Sequence, residues 1–320
     1  MKASIYTQYG SPLVLKIKEV EKPSPKENEV LVKVYAATVN LTDCGMLRAK
    51  PFIMRFFTGL FKPNKQILGT DFAGIIEAIG SNVSLLKVGD KVFGFDDRGV
   101  QSHAEYITIS EENALTTIPL NMNFDEAAAS IEGAHYAYNF INKVDIKIGD
   151  KVLVNGATGA IGSAAVQMLK YLGADVTAVC DSNNADLVLS LGANRIIDYT
   201  KDDFTSSDEK YNFVFDAVGK STFGKCKSLL ISGGVYISSE LGSMNQNPIL
   251  ALTTRIIGDK KVKFPLPTDR ARSLRFIKKL YEEGKFKAVI DRKYSLDNIV
   301  KAFEYVEQGQ KIGNVVIDMR

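Results

Sequence analysis

Residues 151–162, Lys-Val-Leu-Val-Asn-Gly-Ala-Thr-Gly-Ala-Ile-Gly, constrain this chain more than any other stretch. Val152–Asn155 reads as a buried β-strand that runs straight into a glycine-punctuated turn. The apolar run from Ala160 to Leu172 then reads as a helix. Strand, tight turn and helix in that order make a cradle for a pyrophosphate. The glycines let backbone N–H groups approach phosphate oxygens, and the helix N-terminus adds a favourable dipole. Gly156, Gly159 and Gly162 are spaced three apart. Gly159 and Gly162 stand at the last two glycine positions of G-x-G-x-x-G, with Ala157 at the first. The candidate cofactor contacts here are Gly156, Ala157, Thr158, Gly159, Ala160, Ile161 and Gly162. The alternative is a plain strand-to-helix turn.

A chain of 320 residues predicts two domains. Its 45% hydrophobic and 24% charged content is that of a globular protein with a substantial core. The net charge is +3, and Lys and Arg are interleaved with Asp and Glu, which argues against a nucleic-acid groove. Cys44, Cys180 and Cys226 are far apart and form no CxxC, so they read as inert thiols of a reducing compartment. Met1–Val20 lacks the apolar core of a signal peptide, and no apolar run reaches the length of a membrane span. The expectation is a cytoplasmic protein with no integral membrane segment and no nucleic-acid partner.

Residues 1–120 are rich in short alternating segments such as Glu29–Tyr35, with turns at Gly69, Gly74, Gly80, Gly89 and Gly94. That pattern predicts a barrel-like β domain. Phe124–Phe140 is Ala-rich and reads as helical. Strands and helices then alternate: strands at Val152–Asn155, Val176–Cys180, Arg195–Tyr199, Phe213–Val218, Val235–Ser238 and Lys261–Phe264, and a helix over Asp269–Glu283. This alternation predicts a parallel sheet with helices on both faces. The tail, with an extended Val289–Tyr294, an amphipathic Asn298–Gln308 and a strand at Gly313–Met319, matches the first domain's style. It is expected to fold back onto residues 1–120. The predicted class is α/β, with a β-rich domain of residues 1–120 and 288–320 and a doubly wound parallel-sheet domain of residues 121–287.

After the second strand of the sheet comes Asp181-Ser182-Asn183-Asn184. Asp181 lies about 20 residues past the glycine loop, where an acid accepts hydrogen bonds from an adenosine ribose and favours NAD. Ser182 and its neighbours are polar and uncharged, and suit either NAD or NADP. Capping of the next helix is the structural alternative for Asp181.

Taken together, the chain resembles the medium-chain dehydrogenase/reductase superfamily over essentially its full length, in its zinc-free quinone oxidoreductase-like branch. The carriers are Val39-Asn-Leu-Thr-Asp, the block from Leu68-Gly-Thr-Asp-Phe-Ala-Gly to Val83, Lys87-Val-Gly-Asp-Lys-Val-Phe-Gly, and Asn155-Gly-Ala-Thr-Gly-Ala-Ile-Gly. The resemblance implies a GroES-like catalytic domain, a Rossmann-type NAD(P)-binding domain, and a homodimer joined through the edges of the cofactor-domain sheets. It also implies that Tyr199 contacts an adenosine 2′-phosphate, with Lys201 adding charge, which leans the cofactor to NADPH. Val218 and Gly219 would line the nicotinamide ribose, and Lys311 and Asn314 lie on a tail segment that approaches the cofactor.

The zinc enzymes of the same superfamily hold catalytic zinc with Cys, His and Cys. Those positions fall at Asn40, Thr70 and near Glu132, and Asn and Thr are poor zinc ligands. The closely spaced cysteines of a structural zinc lobe are also missing, and His103 and His135 read as structural. No metal is expected. Thr42 falls where a hydroxyl relays a proton in the zinc enzymes. The zinc-free branch reduces quinones or activated carbon–carbon double bonds, which calls for a donor to an enolate oxygen and a source of one proton. Asn40 is the candidate oxyanion donor, Asp43 an orienting group, and Arg48 an attractor of polar acceptors. Cys44 stands where quinone reductases often carry Tyr. Tyr136 is a second proton-donor candidate, with helix packing as its alternative. The apolar loop from Pro51 to Phe61 reads as a packed loop, a wall for an apolar substrate, or an amphipathic membrane contact, and the family position favours the wall.

These readings converge on a zinc-independent, NADPH-preferring reductase of quinones or α,β-unsaturated carbonyls. An alcohol dehydrogenase-like enzyme and a non-catalytic NADPH-binding redox sensor remain open alternatives.

Overall fold

The computed structural model describes residues 1–266 and 268–320, apart from the side chains of Ile53 and Phe57. Seven strands come first: β1 (Lys2–Ile5), β2 (Lys16–Glu19), β3 (Glu29–Val39), β4 (Asp71–Ile79), β5 (Lys91–Phe95), β6 (Tyr106–Ser110) and β7 (Ala114–Thr117). Six follow: β8 (Lys151–Asn155), β9 (Asp175–Cys180), β10 (Arg195–Asp198), β11 (Tyr211–Asp216), β12 (Leu230–Ser238) and β13 (Lys261–Lys263). The chain closes with β14 (Ile290–Ser295) and β15 (Asn314–Asp318). It divides into two compact units, one of Met1–Glu132, Arg270–Glu282 and Lys287–Arg320, the other of Gly133–Asp269 and Glu283–Phe286.

In the first unit β3 is the hub. Its eleven residues pair antiparallel with β4, with β6 along Glu29–Lys33, and with β15 along Ala36–Val39. The sheet runs β14-β15-β3-β4-β5-β7. The tail therefore folds onto the N-terminal strands, as its alternating pattern predicts. Two register shifts between β3 and β4 bend the long strand, as a sheet curling toward a barrel requires. The helix Ile299–Glu307 buries Ile299, Ala302, Phe303 and Val306, one face at helical spacing, against Leu47, Val315 and Ile317.

The unit boundaries depart from the expected ones, and packing gives the reason. The predicted helix over Phe124–Phe140 is two helices, Phe124–Ala129 and Glu132–Ile141. Ser130 separates them, its hydroxyl donating back to the Glu126 carbonyl at 2.6 Å. Ala127, Ala128 and Ala129 bury against Phe93 and Phe95, so this segment belongs to the β-rich unit rather than to the parallel sheet. The helix Arg270–Glu282 joins the same unit. Leu274 enters that cluster, Lys278 Nζ donates to Thr117 Oγ1 at 2.8 Å, and Arg270 pairs with Asp96 and Asp97.

The second unit is a six-stranded sheet, parallel throughout, in the order β10-β9-β8-β11-β12-β13. Counted from β8, this is 3-2-1-4-5-6, the order of doubly wound dinucleotide folds. Val152, Leu153 and Val154 are fully buried, which explains why β8 reads as a continuous apolar run. The connection after β8 leaves to one side of the sheet order and that after β11 to the other. Their C-terminal ends therefore form the switch point where such folds bind ligands. Among the described residues no helix is long and apolar enough to cross a membrane.

Gly74 on β4 shows how closely β3 and β4 are packed, since a Cβ there would fall 2.2 Å from the Lys33 carbonyl oxygen. Gly74→Ala is expected to destabilise the fold by about 1–3 kcal/mol, read as a lower urea midpoint. An unchanged midpoint would contradict this strand packing.

Candidate active site

In the second unit the cradle is built by two glycines that accept no substitute. Gly156 has φ +80°, and a Cβ on it would sit 2.7 Å from Val218 Cβ. A Cβ on Gly162 would sit 2.1 Å from the Gly156 carbonyl oxygen. A Cβ on Gly159, by contrast, would make only an ordinary contact, 3.6 Å from the Gly156 carbonyl oxygen. Gly159 is the N-cap of the helix Ala160–Tyr171 and supplies no capping side chain. The N–H groups of the first turn, at Ala160, Ile161 and Gly162, are thus left to a ligand rather than to a Ser or Asp oxygen. Ala157 anchors the loop to the sheet, its N–H donating to the Val179 carbonyl at 3.2 Å. Thr158 is half-buried in the turn. The donor set fits a pyrophosphate.

The neighbouring loop after β11 is tied by Asp216, which is fully buried. Its carboxylate accepts from Asn155 Nδ2 at 2.9 Å, and from the Ser221 N–H and the Tyr236 hydroxyl at 3.0 Å each. Three donors from three segments fix the turn that carries Val218 and Gly219. Gly219 has φ +66°, and a Cβ there would meet Glu240 Cγ at 2.1 Å. The turn brings Val218 against Gly156, as the glycine contacts above show.

The ribose-side candidates lie at the ends of β9 and β10. Asp181 takes the capping role: Oδ1 accepts from the Asn183 N–H at 2.9 Å and Oδ2 from Asn184 Nδ2 at 2.8 Å. Ser182, the Thr200 hydroxyl and N–H, and Lys201 surround Asp198, and the Thr200 bonds foremost hold that carboxyl well below its usual range. Lys201 lies 3.2 Å from Asp198, so its charge is partnered. Tyr199 is 59% exposed beside this group.

In the first unit the Val39–Asp43 segment forms a buried polar floor. Asn40 caps the helix Leu41–Arg48: its Oδ1 accepts from the Asp43 N–H at 2.9 Å, and the Asp43 carboxylate accepts from the Asn40 N–H at 3.1 Å. Asp43 also accepts from the Gly69 N–H at 3.1 Å, so it orients two segments. Asn40 Nδ2 donates to Thr70 Oγ1 at 2.8 Å. Next to them Asp71 accepts from the Thr38 N–H at 2.8 Å and hydroxyl at 2.7 Å. His103 lies fully buried, its Nε2 2.8 Å from the Thr38 carbonyl, and burial pushes it down to about 4, so it is neutral. Burial pushes Asp71 up to about 7 and raises Asp43 well above the usual carboxylate range, with the Asp71 charge adding to the effect.

Thr42 Oγ1 donates to Glu132 Oε1 at 2.9 Å. Burial raises Glu132, while the Thr42 bond and the charge of Lys311 oppose that rise. Burial lowers Lys311, whose Nζ donates to the Gly313 carbonyl at 2.5 Å.

Other sequence candidates are placed in structural contacts. The Arg48 guanidinium grips the Glu307 carboxylate with two donors, Nη2–Oε2 at 2.5 Å, so its charge is spent on joining two helices rather than left for an acceptor. Asn314 gives its side chain to the Val289 carbonyl at 3.0 Å. His135 is fully buried, with Asn139 Nδ2 3.3 Å from its Nε2. Cys44, Cys180 and Cys226 are all buried with thiols pushed up by burial, hence inert. Of the three zinc-ligand positions only Glu132 offers a donor that zinc favours, and the Asn40 amide is turned onto Thr70. That set does not fit a zinc ion. Sequence reasoning missed Asp71 with Thr38, and the Asp216 web. The aspartate inside Gly69-Thr-Asp-Phe-Ala-Gly was the available signal for the first pair, and a polar residue closing an apolar strand for the second.

Comparison with known proteins now bears on these units. Residues 26–120 match the alcohol dehydrogenase GroES-like domain model and residues 191–317 the zinc-binding dehydrogenase model. The chain is 33% identical over 329 residues to a 2-methylene-furan-3-one reductase of Solanum lycopersicum, covering 99% of this chain and 79% of that protein. The chain belongs to the medium-chain dehydrogenase/reductase superfamily, in its quinone oxidoreductase-like branch. It is also 30% identical to an NADPH-dependent alkenal/one oxidoreductase of Arabidopsis thaliana, over 99% of this chain and 79% of the relative. A solved quinone oxidoreductase from Coxiella burnetii superposes over 100% of this chain and 99% of its own, with TM-score 0.89 and 26% identity.

The raised Asp71 makes a pH prediction. Its unfolded value is about 3.9 and its folded value about 7. Between those values the native state keeps a proton that the unfolded state has lost. This group's contribution to stability therefore falls as pH rises through that window. The stability of Asp71→Asn relative to the parent is expected to improve steadily from pH 4 to pH 7 in urea titrations. A difference independent of pH would contradict the assignment.

Proposed function

We propose that this chain is an NADPH-preferring, zinc-independent reductase of quinones and α,β-unsaturated carbonyls. The observation that carries the reading is the uncapped glycine cradle at the switch point of one unit, taken together with zinc-ligand positions in the other unit that offer no ligand set. The named activities of the tomato and Arabidopsis relatives point the same way. In this reading the second unit, centred on residues 133–269, binds the cofactor, and the first binds substrate.

When bound, the nicotinamide supplies a hydride to the electrophilic carbon. The chain's own residues then have two tasks. The Asn40 amide has two N–H donors, and with one on Thr70 the other serves a developing enolate oxygen. The Thr42 hydroxyl serves as the proton source. With Glu132 protonated, as burial favours, the bond between them reverses and the Thr42 proton is released toward substrate while Glu132 replenishes it. Lys311 opposes that protonation and so sets how readily Glu132 gives its proton up. Asp43 acts through Asn40 as a positioning residue. Tyr199, exposed at the strand ends, favours a 2′-phosphate, and the Asp181 carboxylate is directed onto Asn183 and Asn184.

A homodimer fits the apolar face formed by the helix Gln246–Thr253 and the loop after it, where Ile249, Leu252, Ile256 and Ile257 are exposed next to the edge strand β13. Three unpaired, buried thiols suit a reducing compartment such as the cytoplasm.

The test is NADPH oxidation against a panel of quinones and enones, with NADH in parallel and a chelator present. Turnover with NADPH is expected to persist in chelator and to exceed that with NADH. Glu132→Gln is expected to lower kcat by about 10²-fold or more while leaving the Kd for NADPH unchanged. Loss of activity in chelator would overturn zinc independence, and equal rates with NADH would overturn the role given to Tyr199.

A further inference from the structure

The segment between Asp43 and Asp71 contains no acidic residue and five basic ones, Arg48, Lys50, Arg55, Lys62 and Lys65. It also carries aromatic rings turned outward: Phe52, Phe56 and Phe61 are 64%, 70% and 88% exposed. The Phe52 and Phe56 rings pack edge to face, 6.2 Å apart.

Their exposure is built by the surrounding contacts. Gly59, at φ +123°, turns the chain so tightly that a Cβ would fall 2.0 Å from the Lys62 carbonyl oxygen, and the Asn64 N–H closes the turn onto the Thr58 carbonyl at 2.8 Å. The Tyr9 hydroxyl lies 2.9 Å from Thr58 Oγ1 and donates to the Gly59 carbonyl at 2.6 Å, so the turn is pinned to the first unit. The Arg55 guanidinium lies 5.0 Å from the Tyr9 ring centre and 5.6 Å from that of Phe52. Leu60 and Phe61 stand at the tip of this turn. Of the basic residues, Arg48 is held by Glu307 and Lys65 by the Gly99 carbonyl, and Lys50 and Lys62 are exposed beside the rings.

We infer that this turn is a docking surface for an anionic lipid bilayer, entered by Phe56 and Phe61 and held by Lys50, Arg55 and Lys62. A wedge of aromatic rings flanked by cations and lacking acids has the complementarity of an interface with negatively charged headgroups. The same charge argues against a second copy as occupant, because a two-fold contact would set this basic segment against itself. A small neutral substrate would use the rings but give the lysines no role. The binding does not depend on the activity proposed above. What does rest on that activity is the benefit, namely access to quinones dissolved in a bilayer.

The full chain is floated with vesicles of phosphatidylcholine alone and of phosphatidylcholine containing phosphatidylserine. Binding is expected on the anionic vesicles, weakening as salt rises. Lys50→Gln with Lys62→Gln is expected to lower that affinity by about 25-fold, from about fivefold per basic residue, and to leave any residual binding to neutral vesicles unchanged. Phe56→Ser with Phe61→Ser is expected to lower binding to anionic vesicles by about tenfold or more. Thermal midpoints of both variants are measured alongside, and a midpoint equal to the parent's assigns the loss to the surface. No flotation of the parent, binding indifferent to phosphatidylserine, or phenylalanine variants that change only the oligomeric state would each overturn the inference.

Discussion

The cofactor half of the molecule depends on one close approach. The first turn of the helix Ala160–Tyr171 lies so near the end of β8 that Gly162 leaves no room for a Cβ against the Gly156 carbonyl. That contact aims the helix N-terminus at the switch point of the parallel sheet. A methyl group at Gly162 would push the helix away, and the first-turn N–H groups would lose their common direction. Gly156, Val218 and Gly219 fit into the same corner, held from the other side by the three bonds to Asp216.

The first unit follows a different rule. Its floor contains carboxyl groups at Asp43, Asp71 and Glu132, all buried and all raised by that burial. Asp43 and Asp71 each have hydrogen bonds that oppose the rise and tie β3, β4 and the capped helix together. Glu132 differs in the nearby charge of Lys311, a lysine whose own pKa is lowered by burial. Two acids thus tie segments of the chain together, and the third accepts from the Thr42 hydroxyl with its pKa raised by burial.

Much of this was legible in the sequence because it is local. The strand–glycine–helix order, the alternation of β3 and the apolar face of Ile299–Glu307 each follow from a period or a turn residue within a short window. The return of the tail was legible from its style, though not its pairing with Ala36–Val39. What could not be read are contacts between distant residues. Nothing near Arg48 points to Glu307, and nothing in the helix Arg270–Glu282 says that Leu274 packs beside Phe93 and Phe95 in the β-rich unit. Asp181 could be read as a ribose ligand or a cap. Its capping bonds to Asn183 and Asn184 become visible only in three dimensions.

The most direct test of the cradle is the dissociation constant of NADPH for Gly159→Asp. Gly159 has extended φ and ψ, and a Cβ there would make only an ordinary contact, so aspartate fits without backbone strain and its carboxylate can cap the first-turn N–H groups itself. The account predicts an intact or slightly stabilised fold that binds NADPH at least about 100-fold more weakly, because the new carboxylate takes the pyrophosphate's donors and repels its charge. An unchanged NADPH affinity in a folded variant would contradict the account.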